Sequence, residues 1–290
     1  TTIMSNSATV NGTVNANGLS TTAWFEYGTI SGSFGSKTSP QSVSGASDTA
    51  VSGVVSGLSP GNTCYYRIVA QNNAGTTYGN EMSFTTVDTS APNCLISINN
   101  GALYTNSSIV SLTLSATDDV GVTGYYLSAS SSTPLASATG WTLVTSTTSY
   151  TGSVSYTLNS GDGDKTVYAW YKDAAGNVST AVSDSITLDA TAPMITITSP
   201  TSSSTYTTTS NTISLGGSTS DSMSGAGVVT WCNSKGGSGT ASGTNSWSIS
   251  NVNLSSGDNV IVVTVTDGAG NTGTATIIVT VPETNTTTGI

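Results

Sequence analysis

Val167-Tyr168-Ala169-Trp170-Tyr171-Lys172-Asp173-Ala174-Ala175-Gly176-Asn177 reads as an apolar and aromatic strand running into a turn made by an Asp, a Gly and an Asn. The arrangement returns as Val260-Ile261-Val262-Val263-Thr264-Val265 followed by Asp267-Gly268-Ala269-Gly270-Asn271. A Gly-Asp pair precedes each copy, Gly161-Asp162 and Gly257-Asp258. Strand, tight turn and repetition together predict antiparallel hairpins in an all-β chain.

The same grammar extends to the start of the chain. Ala8, Val10, Gly12 and Val14 alternate with Thr9, Asn11, Thr13 and Asn15, and Asn17-Gly18 supplies a turn tolerant of positive φ. From Thr63 to Ala70, Cys64, Tyr66, Ile68 and Ala70 share one phase and are expected to face a core; Tyr65, Arg67 and Val69 share the other. Two Pro-bearing segments resemble each other, Asp88-Thr89-Ser90-Ala91-Pro92 and Asp189-Ala190-Thr191-Ala192-Pro193, 101 residues apart. That spacing is the period of whole domains in series.

Composition narrows the function classes. The 290 residues hold 104 Ser and Thr against 20 charged residues, which favours hydroxyl-decorated strands over salt-bridged helices. Five Lys plus Arg within a net charge of -10 leave no basic stripe for phosphates or anionic headgroups, so neither nucleic acid nor direct membrane insertion is expected. With no His and three Glu, proton transfer near neutral pH would fall to a shifted Asp, Lys or Tyr, and the chain is read as non-enzymatic. No basic, apolar leader opens it, so it reads as mature or excised protein.

Leu58-Ser59-Pro60-Gly61, the strand Arg67-Ile68-Val69-Ala70-Gln71-Asn72 and Gly75 make residues 1–87 resemble a bacterial fibronectin type III domain. The two linkers, Gly-Asp turns and Asp-x-Ala-Gly-Asn hairpins make residues 90–282 resemble bacterial Ig-like domains of large surface proteins. The resemblance implies three tandem Ig-like/fibronectin type III-like β-sandwiches over 1–88, 89–190 and 191–283, with a tail at 284–290. Two departures stand out. Cys64 occupies the position where the fibronectin family has a corner Tyr, and little chain precedes Ser7, so the first sandwich is expected to lack a complete edge strand.

Several residues are candidates for chemistry. Asp118, Asp119 and Asp173 in one unit, and Asp221 and Asp267 in the next, would offer hard oxygen ligands to calcium if they converge at one pole; the alternative is that Asp173 and Asp267 only shape their turns. Asp162 and Asp164 are adjacent carboxylates that fit a turn better than a glycosidase pair. Trp170 and Trp247 are either core residues or part of a sugar-stacking platform. In a fibronectin-type sandwich the strand beginning near Cys64 starts at the pole where the last strand exits, so Cys64 and Cys94 are a disulfide candidate. The alternative is a buried Cys64 thiol, and Cys232 is then left over, either buried and inert, the favoured reading, or available to another chain.

These features imply a secreted, cell-surface spacer or adhesive segment whose partners are a surface or matrix protein, a glycan or copies of itself. Alternatives are a filament subunit assembled by strand exchange through the termini and a carbohydrate-binding or accessory module of a secreted enzyme. No cofactor beyond calcium is implied.

Overall fold

The computed structural model describes residues 2–283, and the tail invoked for strand exchange lies outside them. Almost all regular structure is extended: the one helical element among the described residues is a 3-10 turn at Asn99–Gly101, and no helix is long and apolar enough to cross a membrane.

The first sandwich comprises β1 (Thr2–Ile3), β2 (Ser7–Asn15), β3 (Thr21–Gly28), β4 (Ser36–Lys37), β5 (Gln41–Val43), β6 (Asp48–Ser56), β7 (Thr63–Asn72), β8 (Gly75–Tyr78) and β9 (Met82–Thr85). One layer runs β1-β2-β6 and the other β4-β3-β7-β8, with β5 on β3 and β9 on β7. The edge strand is therefore present but short, two residues of β1 paired to Thr9 and Ala8. Alternation along β2 and β6 sends Val10, Val51 and Val55 inward against Phe25. The Tyr66 ring lies between Phe25 and Phe84, with centroids 6.1 and 5.9 Å away. Cys64 and Tyr66 are in this core, and Ile68 and Ala70 pack against it half-buried. Val69, assigned to the outer phase, is nevertheless buried, opposite Trp24 on the neighbouring strand.

The second sandwich comprises β10 (Asn93–Ile98), β11 (Tyr104–Thr105), β12 (Ile109–Ser128), β13 (Thr142–Thr157), β14 (Gly163–Asp173) and β15 (Val182–Leu188). Its layers are joined because β12 passes through both: the first half pairs with β10, the second with β14, and β13 follows β12 along both halves. Val110, Leu112, Leu114 and Ala116 point into the core while Ser111, Thr113 and Ser115 point away. The turn of the corner is a break in register between Thr117 and Val122, with Gly121 at φ 139°. Only glycine adopts that backbone without strain.

In the third sandwich the corresponding strand is cut in two. Here β16 (Met194–Ser199), β18 (Thr212–Ser220) and β21 (Ser246–Asn253) form one layer, while β17 (Thr205–Thr207), β23 (Thr272–Val281), β22 (Gly257–Asp267), β19 (Ala226–Asn233) and β20 (Ser238–Thr240) form the other. The loop 221–225 between β18 and β19 replaces the bulge in β12. Each sandwich has its own core cluster, with no residue shared among the three.

Of the two readings of Cys64 the buried thiol holds and the disulfide to Cys94 does not, and Cys232 is not buried as expected. All three thiols are free. Cys64 points into the first core across from Phe84, whereas Cys94 lies on β10 opposite Ala116 and packs against the second core, so the two are held by different sandwiches. Burial raises both thiols above their ordinary value and keeps them protonated. Cys232 is exposed, because the inward phase of β19 belongs to Val229 and Asn233.

Candidate metal centres at the joints between sandwiches

Each linker folds back onto the sandwich that follows it. At the first joint Asp88, Asp118 and Asp173 bring carboxylate oxygens within 4.8 Å of one another, and at the second Asp189, Asp221 and Asp267 do the same. The three members have constant origins: the linker, the corner that follows the first half of β12 or the end of β18, and the hairpin that ends the long strand β14 or β22. Of the expected ligands, Asp118, Asp173, Asp221 and Asp267 converge. Asp119 does not join a triad; it is exposed one residue along the bulge, and the position expected for it is taken by Asp88. Asp88 and Asp189 were the residues missed, although both open the repeated linker.

The hairpin Asp does two jobs. Asp173 Oδ1 accepts the N–H groups of Gly176 and Asn177 at 2.8 and 2.9 Å, and Asp267 Oδ1 accepts those of Ala269 and Asn271 at 3.0 and 2.8 Å. The turn-forming reading of both residues therefore holds together with their place in the clusters. Asn177 and Asn271 then tie hairpin to linker. Asn177 Nδ2 donates to Asp173 Oδ2 at 2.7 Å and to the Asp88 carbonyl at 3.3 Å; Asn271 Nδ2 donates to Asp267 Oδ2 and the Asp189 carbonyl, both at 2.8 Å.

The upstream sandwich contributes mainly close approach. Gly61, at φ 64°, faces Val120 so tightly that a Cβ on it would stand 2.7 Å from the Val120 side chain; at the second joint Gly163 faces Met223. Asp162 adds a clamp, accepting the Ala190 N–H at 2.9 Å and the Thr191 hydroxyl. Asp164 instead accepts the hydroxyl of Thr187 on the neighbouring strand, so the two carboxylates serve separate structural roles.

The Thr191 hydroxyl and then the Ala190 amide hold the Asp162 carboxyl below its ordinary value. A carboxyl with a depressed folded value contributes its clamp above the unfolded value, about 3.9, and loses it as pH falls through the folded one. A carbon-13 NMR titration of Asp162 should therefore give a midpoint below about 3.9, with the Ala190 amide shifting in parallel; a midpoint above that value would refute the clamp.

The two triads differ in how their oxygens are satisfied. At the second joint Asp189, fully buried, receives Thr191 N–H on Oδ1 and both Ser224 N–H (3.1 Å) and Ser224 hydroxyl (2.5 Å) on Oδ2. The Ser224 oxygen in turn accepts Ala269 N–H at 3.1 Å. At the first joint Asp88 Oδ1 receives Ser90 N–H, and Asp118 Oδ1 receives Val120 and Gly121 N–H. Oδ2 of Asp88 and Oδ2 of Asp118 are buried and accept nothing among the described residues. Burial raises the Asp88 carboxyl above its ordinary value against the lowering Ser90 amide, and the charges of Asp173, Asp118 and Asp119 raise it further.

Trp170 and Trp247, weighed as a sugar platform, are 0% and 2% exposed. Trp170 lies under Tyr126 and Tyr168, at centroid distances of 6.1 Å each, and Trp247 belongs to the third core.

No protein-family model matches the chain and no curated protein matches its sequence. Among solved structures it is similar to the fibronectin(III)-like modules of Clostridium thermocellum CbhA, at 14% identity over 68% of this chain and 98% of that one, TM-score 0.36. It is similar to the FN1-FN3 domains of chicken CNTN1, at 14% identity over 97% and 96%, TM-score 0.30. A stretch of consecutive titin domains matches at 10% identity over 97% and 95%, TM-score 0.40.

Proposed function

We propose that this chain is a non-catalytic, extracellular spacer at a bacterial cell surface, a semi-rigid series of sandwiches that holds an adhesive or anchoring element at a set distance. The observation that carries the reading is the fastening of both linkers. Asn177 and Asn271 grip the carbonyls of Asp88 and Asp189, so segments that would be swivels if solvated are bonded to the next sandwich. A hydroxyl-rich surface with few charges suits exposure without nonspecific adhesion. Its partners are then whatever the spaced element meets, a surface or matrix protein or a glycan.

Small-angle X-ray scattering with light scattering on the 290-residue chain tests this. The expected result is a monomer whose distance distribution carries resolved repeats of one sandwich length. A broad, featureless distribution would show free swivels, and a higher-order assembly would favour a filament subunit; either outcome overturns the spacer reading.

A further inference from the structure

We propose that the first joint binds one calcium ion between Asp88, Asp118 and Asp173, and that the second joint, built on the same plan, has Ser224 donating where the ion would sit. The proposal does not depend on where the chain resides.

Three carboxylates within 4.8 Å repel unless a proton or cation intervenes. At the first joint Asp88 and Asp118 are each 8% exposed, and each carries a buried Oδ2 with no donor. A buried unpaired carboxylate oxygen is costly, and two in one cluster describe a place that lacks positive charge. The oxygens already bonded belong to N–H donors of their own turns, which orient the carboxylates and leave lone pairs free. A groove lined by Ser90, Asn93, Thr117, Asp118 and Asp119 opens beside the cluster and gives room for water ligands and access from solvent. An all-oxygen, irregular donor set drawn from loops suits calcium, which accepts six to eight ligands in flexible geometry, better than magnesium with its strict octahedron.

The second joint supplies the internal comparison. Its loop has three residues between Asp221 and Gly225, where the bulge of β12 has two between Asp118 and Gly121. The longer loop brings Ser224 to Asp189, and its N–H and hydroxyl both donate to the oxygen equivalent to the unpaired one of Asp88. The shorter bulge has Asp119 and Val120 there, and neither side chain can donate.

The test is a calcium chloride titration of the full chain followed by amide NMR at neutral pH, with magnesium chloride as reference. Saturable shifts are expected at Ser90, Val120, Gly121 and Gly176, with one equivalent bound and a dissociation constant on the order of 0.1–1 mM. Thr191, Ser224 and Gly225 should stay still. Asp88→Asn keeps the acceptor for Ser90, so the fold is expected to persist while calcium affinity falls at least about tenfold; Asp118→Asn gives an independent second reading. Ser224→Ala removes the hydroxyl that donates to Asp189 Oδ2, leaving that oxygen only the backbone N–H of residue 224, and should add a second saturable site at the other joint. The inference is overturned if the wild-type chain shows no saturable shift by about 10 mM, far above that range. Equal shifts in Asp88→Asn, or two equivalents in the wild type, would overturn it too.

Discussion

Gly217→Ala is expected to unfold the third sandwich while the first two stay folded. Gly217 lies within β18, paired with Ile197 on one side and Trp247 on the other. A Cβ there would stand 1.8 Å from the Thr196 carbonyl oxygen and 2.7 Å from the Trp247 ring. The backbone φ is ordinary, so the penalty is wholly steric, and the obstacle is a carbonyl fixed in a ladder together with a buried indole that has no free direction to turn. Overpacking of this kind costs about 3 kcal/mol or more, a large part of the roughly 5–15 kcal/mol that keeps a small domain folded. Because the three cores share no residue, the loss should remain local. Hydrogen exchange read by residue decides it: protection at Val263 and Ile277 should collapse, while Leu112 and Val10 keep theirs. Native protection at Val263 in the variant would mean that the ladder gives way easily and that the steric account is wrong.

Asp189→Ala should open the second joint without melting either neighbour. The carboxylate accepts three donors from two segments, Thr191 in the linker and Ser224 in the loop, and it is fully buried. Removing it strands the Ser224 N–H and releases the hydroxyl that steadies Ala269, while relieving some repulsion from Asp221 and Asp267. Hydrogen bonds to a charged group contribute about 1.5–3 kcal/mol each and do not add fully, so a net loss of about 2–4 kcal/mol is expected. Amide exchange at Thr191, Ser224 and Ala269 should accelerate by about 30- to 1,000-fold, at 1.4 kcal/mol per factor of ten. Unchanged protection at Ser224 would show that the loop is held by its own turn alone.

The fold was legible because its signals are local. Alternation along residues 109–116, the Asp-x-Ala-Gly-Asn turns and the Pro-bearing linkers each depend on a few adjacent residues, and the strands follow them. The joints were legible only in part. Asp118, Asp173, Asp221 and Asp267 stood out as loop acids, but Asp88 and Asp189 read as spacer residues, because nothing local tells that a linker will fold onto the sandwich after it. The choice between Asp118 and Asp119 was equally hidden, since a bulge shifts the phase that decides which neighbour turns inward. The same limit undid the cysteine pairing: proximity to a shared pole was inferred for Cys64 and Cys94, but each strand's phase sent its thiol into a separate core.

The origin of the joint residues has a consequence for how such chains lengthen. Every carboxylate of a triad, and the Asn that fastens it, comes from one continuous stretch: 88 to 177 at the first joint, 189 to 271 at the second. The preceding sandwich offers Gly61 at the first joint and the Gly161-Asp162-Gly163 turn at the second. Each unit therefore carries its own coupling at its leading end, as a railway wagon does. A gene duplication that copies one unit with its leading linker adds a link whose fastening is already encoded, and a one-residue change in corner length decides whether that link closes on a hydroxyl or waits for an ion.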